Sequence, residues 1–590
     1  MRNLVRCATR AAVLGALLAC PLISSYTAAQ TLPRLSDADR LDLTPPKSAP
    51  SLPTLGDADR EELTPYLERK VGEIIMREFH RDPDYIDDAP LLEYINNLGI
   101  SLVEARPEVR GEANYDFQFF IVRDQSINAF ALPGGFIAVH SGLFLAAQSE
   151  SELAGVMGHE VGHVAQRHIA RMLGQERRDS LIPIAGMLLA MMAAARSSPD
   201  AAEAAAIGGE ALMAQRQLAF SRDAEREADR VGLQIMSAAG YDSTGMVSFF
   251  GRMQKATRLY HDVPPFLQNH PMNSERIADL QGRINNMSYK QHVDSMAFRI
   301  IQARLRLLQD SNPQALREAS AFFQNQLEVN PRTEAVSSKY GLAMIAMKRG
   351  EYDKATTLLH QSREAALRLT ANHPDNSYGA ILDSLEIDID LAAGKNDEAV
   401  KFADAARERD PLSRGIARQY ADALMADGKP DKAIAYLRDQ AQLYREEPQL
   451  QALLAKAYAG EDKKALQHLA LAEQYALDGS LPSALDQLGM ARKAGDATFY
   501  DHSVIDARER EFKERWNDEQ ILLGKKKEKD KDKSAFSVMA GSQDRNGISS
   551  CSSSMGPAVT SDPFSAIRQS GSTASGFSGT PCPLQRGAQP

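Results

Sequence analysis

His159-Glu160-Val161-Gly162-His163 constrains this chain more than any other stretch, because its residues can act together only on an α-helix. Two histidines four apart project from one helical face and can share a small ion, with a carboxylate one position along to work on water. Zinc suits that geometry best. The helical setting is written into the sequence separately. Ser149, followed three residues later by Glu152, forms a capping box ahead of Leu153, Val156 and Met157, and the helix is expected to run to about Leu173.

A catalytic zinc needs a third protein ligand and a water in the fourth position. Ser221 to Arg230 opens a second helix that continues through Val231, Leu233 and Ile235. Glu225 and Asp229 share one face at i and i+4, so Glu225 is a candidate ligand and Asp229 a candidate partner for the ring N–H of a ligand histidine. Glu227 and the arginines are expected on the solvated side.

The remainder must make an exported chain without core disulfides. At 590 residues the length suits about three to five domains. Residues 1–29 read as a secretory signal: basic Arg2, Arg6 and Arg10, an apolar Ala11 to Ile23, and small residues before Gln30. Leu17-Leu18-Ala19-Cys20 offers a rival, a bacterial lipobox that would leave a lipidated Cys20. Cysteine occurs at positions 7, 20, 551 and 582, so residues 30 to 550 are held by burial, and no cysteine there serves as nucleophile or ligand. A net charge of -10 disfavours nucleic acid as the main partner.

Residues 30–64 read as a flexible linker, in which Leu32 to Arg40 is echoed by Leu52 to Arg60. Helical spacing begins at Pro65, and a second helix covers about Leu91 to Glu104. Phe117 to Val122 alternates as a strand. Asn128 to Val139 reads as a strand broken at Pro133-Gly134-Gly135 and resumed, and Pro133 places it at a sheet edge, where an extended peptide can pair. The almost uncharged run Leu181 to Ala195 is too short to span a bilayer and reads as a buried helix or as a lid touching unfolded substrate or a membrane surface.

H-E-V-G-H, then E-x-x-x-D about sixty residues later, then Asn269-His270-Pro271 through Arg276, is similar to the M48 family of zinc peptidases over roughly Pro65 to Met287. The resemblance implies that Glu225 is the third ligand, that His270 and Arg276 face the metal, and that Asn128 to Gly142 contains the substrate-binding edge strand. It also implies one zinc per subunit, Glu160 as general base, and oxyanion stabilisation by His270 or Arg276. His270 has a second expectation: a resting imidazole in the fourth position would exclude water and silence the enzyme.

From about Met296 to Phe499 the sequence is helix after helix. Gly350 to Ala355, Gly394 to Ala399, Gly428 to Ala433 and Gly479 to Ala484 share a Gly that ends one helix and an Ala that lets the next pack closely, as in tetratricopeptide repeats, at spacings of 44, 34 and 51 residues. The expected fold is α+β: a mainly helical zincin-type peptidase with a small β-sheet over 65–290, then an all-α repeat solenoid over 296–500. Residues 501–590, charged and then Ser/Gly-rich, are expected to be disordered. An export signal, an M48-like domain and repeats together resemble a periplasmic branch of the family in Gram-negative bacteria. That implies unfolded or misassembled outer-membrane proteins as substrates and the β-barrel assembly machinery as partner. The alternative is a repeat-based chaperone or scaffold with a silent peptidase.

Overall fold

The computed structural model describes residues 64–522 except 112–113, 174–220, 260–263, 372–374 and 376. The export signal, Cys20, the duplicated arm, the Leu181 to Ala195 run and the Ser/Gly-rich tail lie outside the described residues.

Helix α1 (Pro65–Arg81) begins on a proline whose missing N–H costs nothing there, and the Thr64 hydroxyl accepts from the Leu67 N–H at 3.3 Å. Helix α2 (Ala89–Ala105) starts on an Asp88 cap. Three strands follow: β1 (Gln118–Val122), β2 (Ala129–Leu132) and β3 (Phe136–His140), in the order β1-β3-β2. β2 and β3 form an antiparallel hairpin across Gly134 and Gly135, at φ of 81° and 94°, while β1 runs parallel to β3. β2 is therefore an edge strand among the described residues. Both faces of the sheet are buried. Val71, Ile75 and Phe79 of α1 cover Phe120, Val122 and Phe136, and the opposite face packs Phe119, Ile121, Ile137 and Val139 into the main core. Burial on both sides explains why both sets of alternating positions along β1 are largely apolar.

After α3 (Ser141–Ala146) comes the motif helix α4 (Glu150–Ala165). Ser149 caps it, its hydroxyl accepting from the Glu152 N–H at 3.3 Å, and the Glu152 carboxylate reaches back to the Gln148 N–H at 2.7 Å. The helix ends at Ala165, not at Leu173. Arg167 takes a left-handed φ of 51°, and a new short helix α5 runs from His168 to Leu173. Helix α6 (Arg222–Ala238) crosses α4 backbone against backbone. A Cβ on Gly232 would lie 2.7 Å from the His159 nitrogen, and one on Gly162 would lie 2.8 Å from the Ala228 carbonyl oxygen. Helices α7 (Thr244–Leu259), α8 (Pro265–Asn269) and α9 (Ser274–Ile284) complete this part of the core with Phe250, Phe266 and Leu280.

From Met296 onward the described chain is all helix. Gly350, Gly394, Gly428 and Gly479 all adopt left-handed φ between 70° and 76°, and Ala355, Ala399, Ala433 and Ala484 are fully buried behind them. A further turn sits at Asp462, φ 54°, 34 residues after Gly428, with Ala465 buried behind it. It falls inside the spacing of 51 that looked irregular, hidden because Asp stands where the other turns use Gly. The helical part also extends past residue 500. A helix from Phe499 to Leu522 buries Ile505 and Phe512 against the array, with Trp516 beside them. Its few apolar positions, widely spaced among charges, gave no continuous stripe to read.

Polar anchors join the two parts. The Glu150 carboxylate, at the start of α4, accepts from Tyr94 Oη, Ser295 Oγ and the Ser295 N–H at 2.7 to 2.9 Å. Arg304 makes two 2.7 Å bonds to Asp88 and one of 2.8 Å to Tyr340. Glu93 accepts from the Gly415 N–H at 2.6 Å. No helix among the described residues is long and apolar enough to cross a membrane.

The α4–α6 crossing makes a testable demand. Gly232→Ala is expected to destabilise the peptidase region by about 1–3 kcal/mol through overpacking. Gly251→Ala, where nothing lies within 4 Å of the added methyl, is expected to be neutral or to gain up to about 1 kcal/mol. Thermal unfolding followed by tryptic cleavage within residues 65–290 reads both.

Candidate active site

Two helices supply most of the site. His159, Glu160 and His163 project from α4, and Glu225 and Asp229 project from α6 across the glycine contact; His270 follows α8 and Arg276 lies in the first turn of α9. All seven are at most 3% exposed. The structure therefore brings together every residue picked out from the sequence.

Four of them converge on one point. His159, His163, Glu225 and His270 place candidate ligand atoms within 4.8 Å of one another. His159 Nε2 lies 3.1 Å from His163 Nε2 and 3.3 Å from His270 Nδ1. Glu225 Oε1 lies 2.9 Å from His270 Nδ1 and 3.6 Å from His163 Nε2, and Glu225 Oε2 lies 3.5 Å from His159 Nε2. Tetrahedral zinc with bonds of about 2.0–2.1 Å spaces its ligand atoms about 3.3 Å apart. The donors thus fit a zinc ion in both type and spacing.

The electrostatics favour positive charge at that point. Burial works against a charged His159, yet Asp229 and Glu225 lift its pKa to about 9. Burial likewise opposes the Glu225 carboxylate, but His270 and His159 hold it well below the usual range. His163 is pushed far down by burial and by the two neighbouring imidazoles. A cation there answers what the carboxylates draw in while leaving the imidazoles neutral.

Asp229 and Arg276 brace the ligands. Asp229 Oδ1 lies 3.0 Å from His159 Nδ1, so His159 turns Nε2 toward the cluster. Arg276 grips Asp229 with Nε and Nη2, each at 2.7 Å, and meets Glu225 Oε2 with Nη1 at 2.7 Å. Its Nη1 also donates to the Pro271 carbonyl at 2.9 Å, tying the His270 loop to the same group. With Nε, Nη1 and Nη2 all engaged, Arg276 has the geometry of a brace and not of an oxyanion donor. Phe250 and Phe266 wall the cluster, and the Phe266 ring stacks on His270 at 4.8 Å.

Glu160 differs from the other carboxylates. Its oxygens are fully buried without a hydrogen-bond partner. The His270 Nε2 is 3.5 Å away, and the Ala131 N–H of β2 is near enough to favour its charge. Burial nonetheless raises its pKa. A carboxyl whose pKa is raised beside a cluster of candidate metal ligands has the chemistry of a proton carrier. Sequence reading placed Glu227 on the solvated side, but it reaches His168 at 3.2 Å and Arg171 at 3.0 Å. Its position two residues from Glu225 turns it toward α5, a helix that the sequence did not separate from α4.

Comparison with known proteins agrees with this geometry. Residues 102–284 match the profile of peptidase family M48. The β-barrel assembly-enhancing protease of Escherichia coli K12 is 32% identical over 426 residues, covering 72% of this chain and 83% of that protein. The putative β-barrel assembly-enhancing protease of Vibrio cholerae is 36% identical over 310 residues, 52% of this chain and 60% of that one. The mitochondrial metalloendopeptidase OMA1 of Schizosaccharomyces pombe is 30% identical over 173 residues, 29% of this chain and 48% of its own. A solved tetratricopeptide-repeat protein overlays with a TM-score of 0.24 at 17% identity, over 34% of this chain and 93% of that one. The repeat assignment rests instead on the left-handed turns and the buried alanines behind them. The chain is a zinc metalloendopeptidase of peptidase family M48 and belongs with the β-barrel assembly-enhancing proteases.

Proposed function

We propose that this protein works in the periplasm, degrading misassembled outer-membrane β-barrel proteins and assisting the machinery that assembles them. The observation that carries the catalytic part is the convergence of His159, His163 and Glu225 on one point, with the unpartnered Glu160 carboxylate beside it. The periplasmic setting and the substrates rest on the signal-like N-terminus and on the names of the relatives.

His159, His163 and Glu225 would hold the zinc. When bound, zinc supplies a Lewis acid that polarises the scissile carbonyl and acidifies water. Glu160 accepts a proton from the attacking water and returns one to the leaving amine, a role suited to a carboxyl whose pKa burial has raised. β2, beside Glu160 through Ala131 and an edge strand among the described residues, offers that edge to an extended substrate backbone. A cavity of ≈ 1120 Å³ between α1 and the repeats, lined by Arg69, Arg77 and Phe136 on one side and Arg418, Glu447 and Arg515 on the other, supports capture of polypeptide by the array. It lies on the α1 face of the sheet, away from α4.

One observation favours a resting, silenced state. His270 Nδ1 already stands in the donor set, 2.9 Å from Glu225 and 3.3 Å from His159. A fourth protein donor excludes the water that the reaction needs, so His270 acts as a gate, and the chaperone role operates while it is shut.

Glu160→Gln is expected to keep stoichiometric zinc and lose about 10²–10⁴-fold in casein cleavage, measured beside metal content; undiminished cleavage would end the mechanism. His270→Ala is expected to raise basal cleavage at unchanged zinc content, and no rise removes the gate. Arg276→Met leaves Glu225 and Asp229 buried without their cation and is expected to cost about 3–5 kcal/mol of peptidase-region stability, read by thermal unfolding.

A further inference from the structure

The chain leaves the motif helix in an unusual way. Gln166 caps α4, Arg167 adopts φ 51° although it carries a Cβ, and α5 starts at once with His168. A left-handed arginine persists only where its surroundings hold it. Here Glu68 of α1, 4% exposed, receives the Arg167 guanidinium, with Nε at 2.7 Å, and is itself steadied by Tyr115 Oη at 2.6 Å. The product of this clamped turn is a contact within one short stretch of chain. His168 folds back so that its Nδ1 lies 2.9 Å from Nδ1 of His163, five residues earlier. His168 is 3% exposed, and its other nitrogen, Nε2, lies 3.2 Å from Glu227 Oε2. Arg171 holds the same Glu227 oxygen at 3.0 Å.

We infer that His168, set by Glu227, is a positioning residue that fixes the tautomer and ring orientation of His163, and that the turn at Arg167 serves to place it. With both imidazoles neutral, the proton count leaves one arrangement. The Glu227 carboxylate can only accept, so His168 donates through Nε2–H and presents a lone pair at Nδ1. That lone pair accepts the Nδ1–H of His163. His163 then turns the lone pair of Nε2, the nitrogen 3.1 Å from His159 Nε2, to the metal point. Asp229 does the same for His159 directly, whereas His163 is served through an intervening imidazole. Such outer partners typically contribute 10–100-fold to metal affinity. The inference rests on His163 being a ligand through Nε2, and its test separates the two.

Zinc affinity of the full chain is measured by competition with a chromophoric chelator, together with the melting temperature of the metal-free and zinc-loaded protein. His168→Ala is expected to bind zinc 10–100-fold more weakly and to shrink the zinc-induced rise in melting temperature. His168→Asn, whose Oδ1 stands near the place of Nδ1 and can accept the same proton, is expected to recover most of that affinity. Glu227→Gln keeps the shape but can donate to His168 Nε2, which releases the tautomer, and it is expected to weaken zinc binding at an unchanged metal-free melting temperature. If His168→Ala does not fold, the Asn and Gln variants decide. Affinity within twofold of wild type in His168→Ala or Glu227→Gln overturns the inference. So does His168→Asn binding as weakly as His168→Ala, which would reduce His168 to packing. A wild-type chain that takes up no zinc overturns the ligand assignment beneath it as well.

Discussion

The site exists because two helices touch backbone to backbone. Gly158 and Gly162 on α4 face Ala228 and Gly232 on α6, with no room for a Cβ at Gly162 or Gly232 and little at Gly158. Ordinary side chains hold helix axes 8–10 Å apart. The glycine contact brings these two helices closer than that, and Glu225 of α6 meets the two histidines of α4 across it. The motif H-E-V-G-H therefore carries a packing instruction in its glycine as well as a ligand instruction in its histidines. The same contact brings Asp229 onto His159, so ligands and braces depend on one crossing.

That crossing concentrates charge in a deeply buried place. Glu160, Glu225 and Asp229 lie within one buried cluster, and Arg276 is the fixed cation that meets two of them. Burying unpaired carboxylates is costly, so the arrangement divides them by role. Asp229 and Glu225 are held ionised by Arg276 and the imidazoles, while Glu160 meets no guanidinium, and burial outweighs the nearby His270 and keeps its pKa raised. The difference follows from helix geometry. Glu225 and Asp229 sit one turn apart on the face met by α9, whereas Glu160 points toward β2.

Much of this was legible in the sequence because it is encoded locally. The Ser149 cap, the i and i+4 pairs on α4 and α6, and the left-handed glycines of the helical half each depend on a few neighbouring residues, and the structure has all of them. What the sequence hid depended on distant partners or on substitutions of chemistry. Arg167 breaks the motif helix only because Glu68, ninety-nine positions earlier, holds it there. Asp462 does the work of a turn glycine. The parallel pairing of β1 with β3 is set by packing of α1 and α2 on opposite faces, which no local pattern announces. Glu227 looked solvated because the partner that draws it inward, His168, belongs to a helix whose start was invisible for the same reason as the Arg167 break.

The helical half is fixed to the peptidase half by geometry more than by strength. Arg304 meets Asp88 and Tyr340 in a largely buried triad, and Glu93 places its carboxylate on the N-terminal amide of Gly415. Both acids sit on or just before α2, one of the helices that back the sheet. Buried pairs of this kind add little net stability, since desolvation consumes most of the attraction, but losing either partner leaves a stranded charge. A slide of the array across α2 would separate them all at once. The array is thereby tied to one placement against α2, and the cavity lined by α1 and the helical half is a built feature of the molecule and not a gap between loosely joined parts.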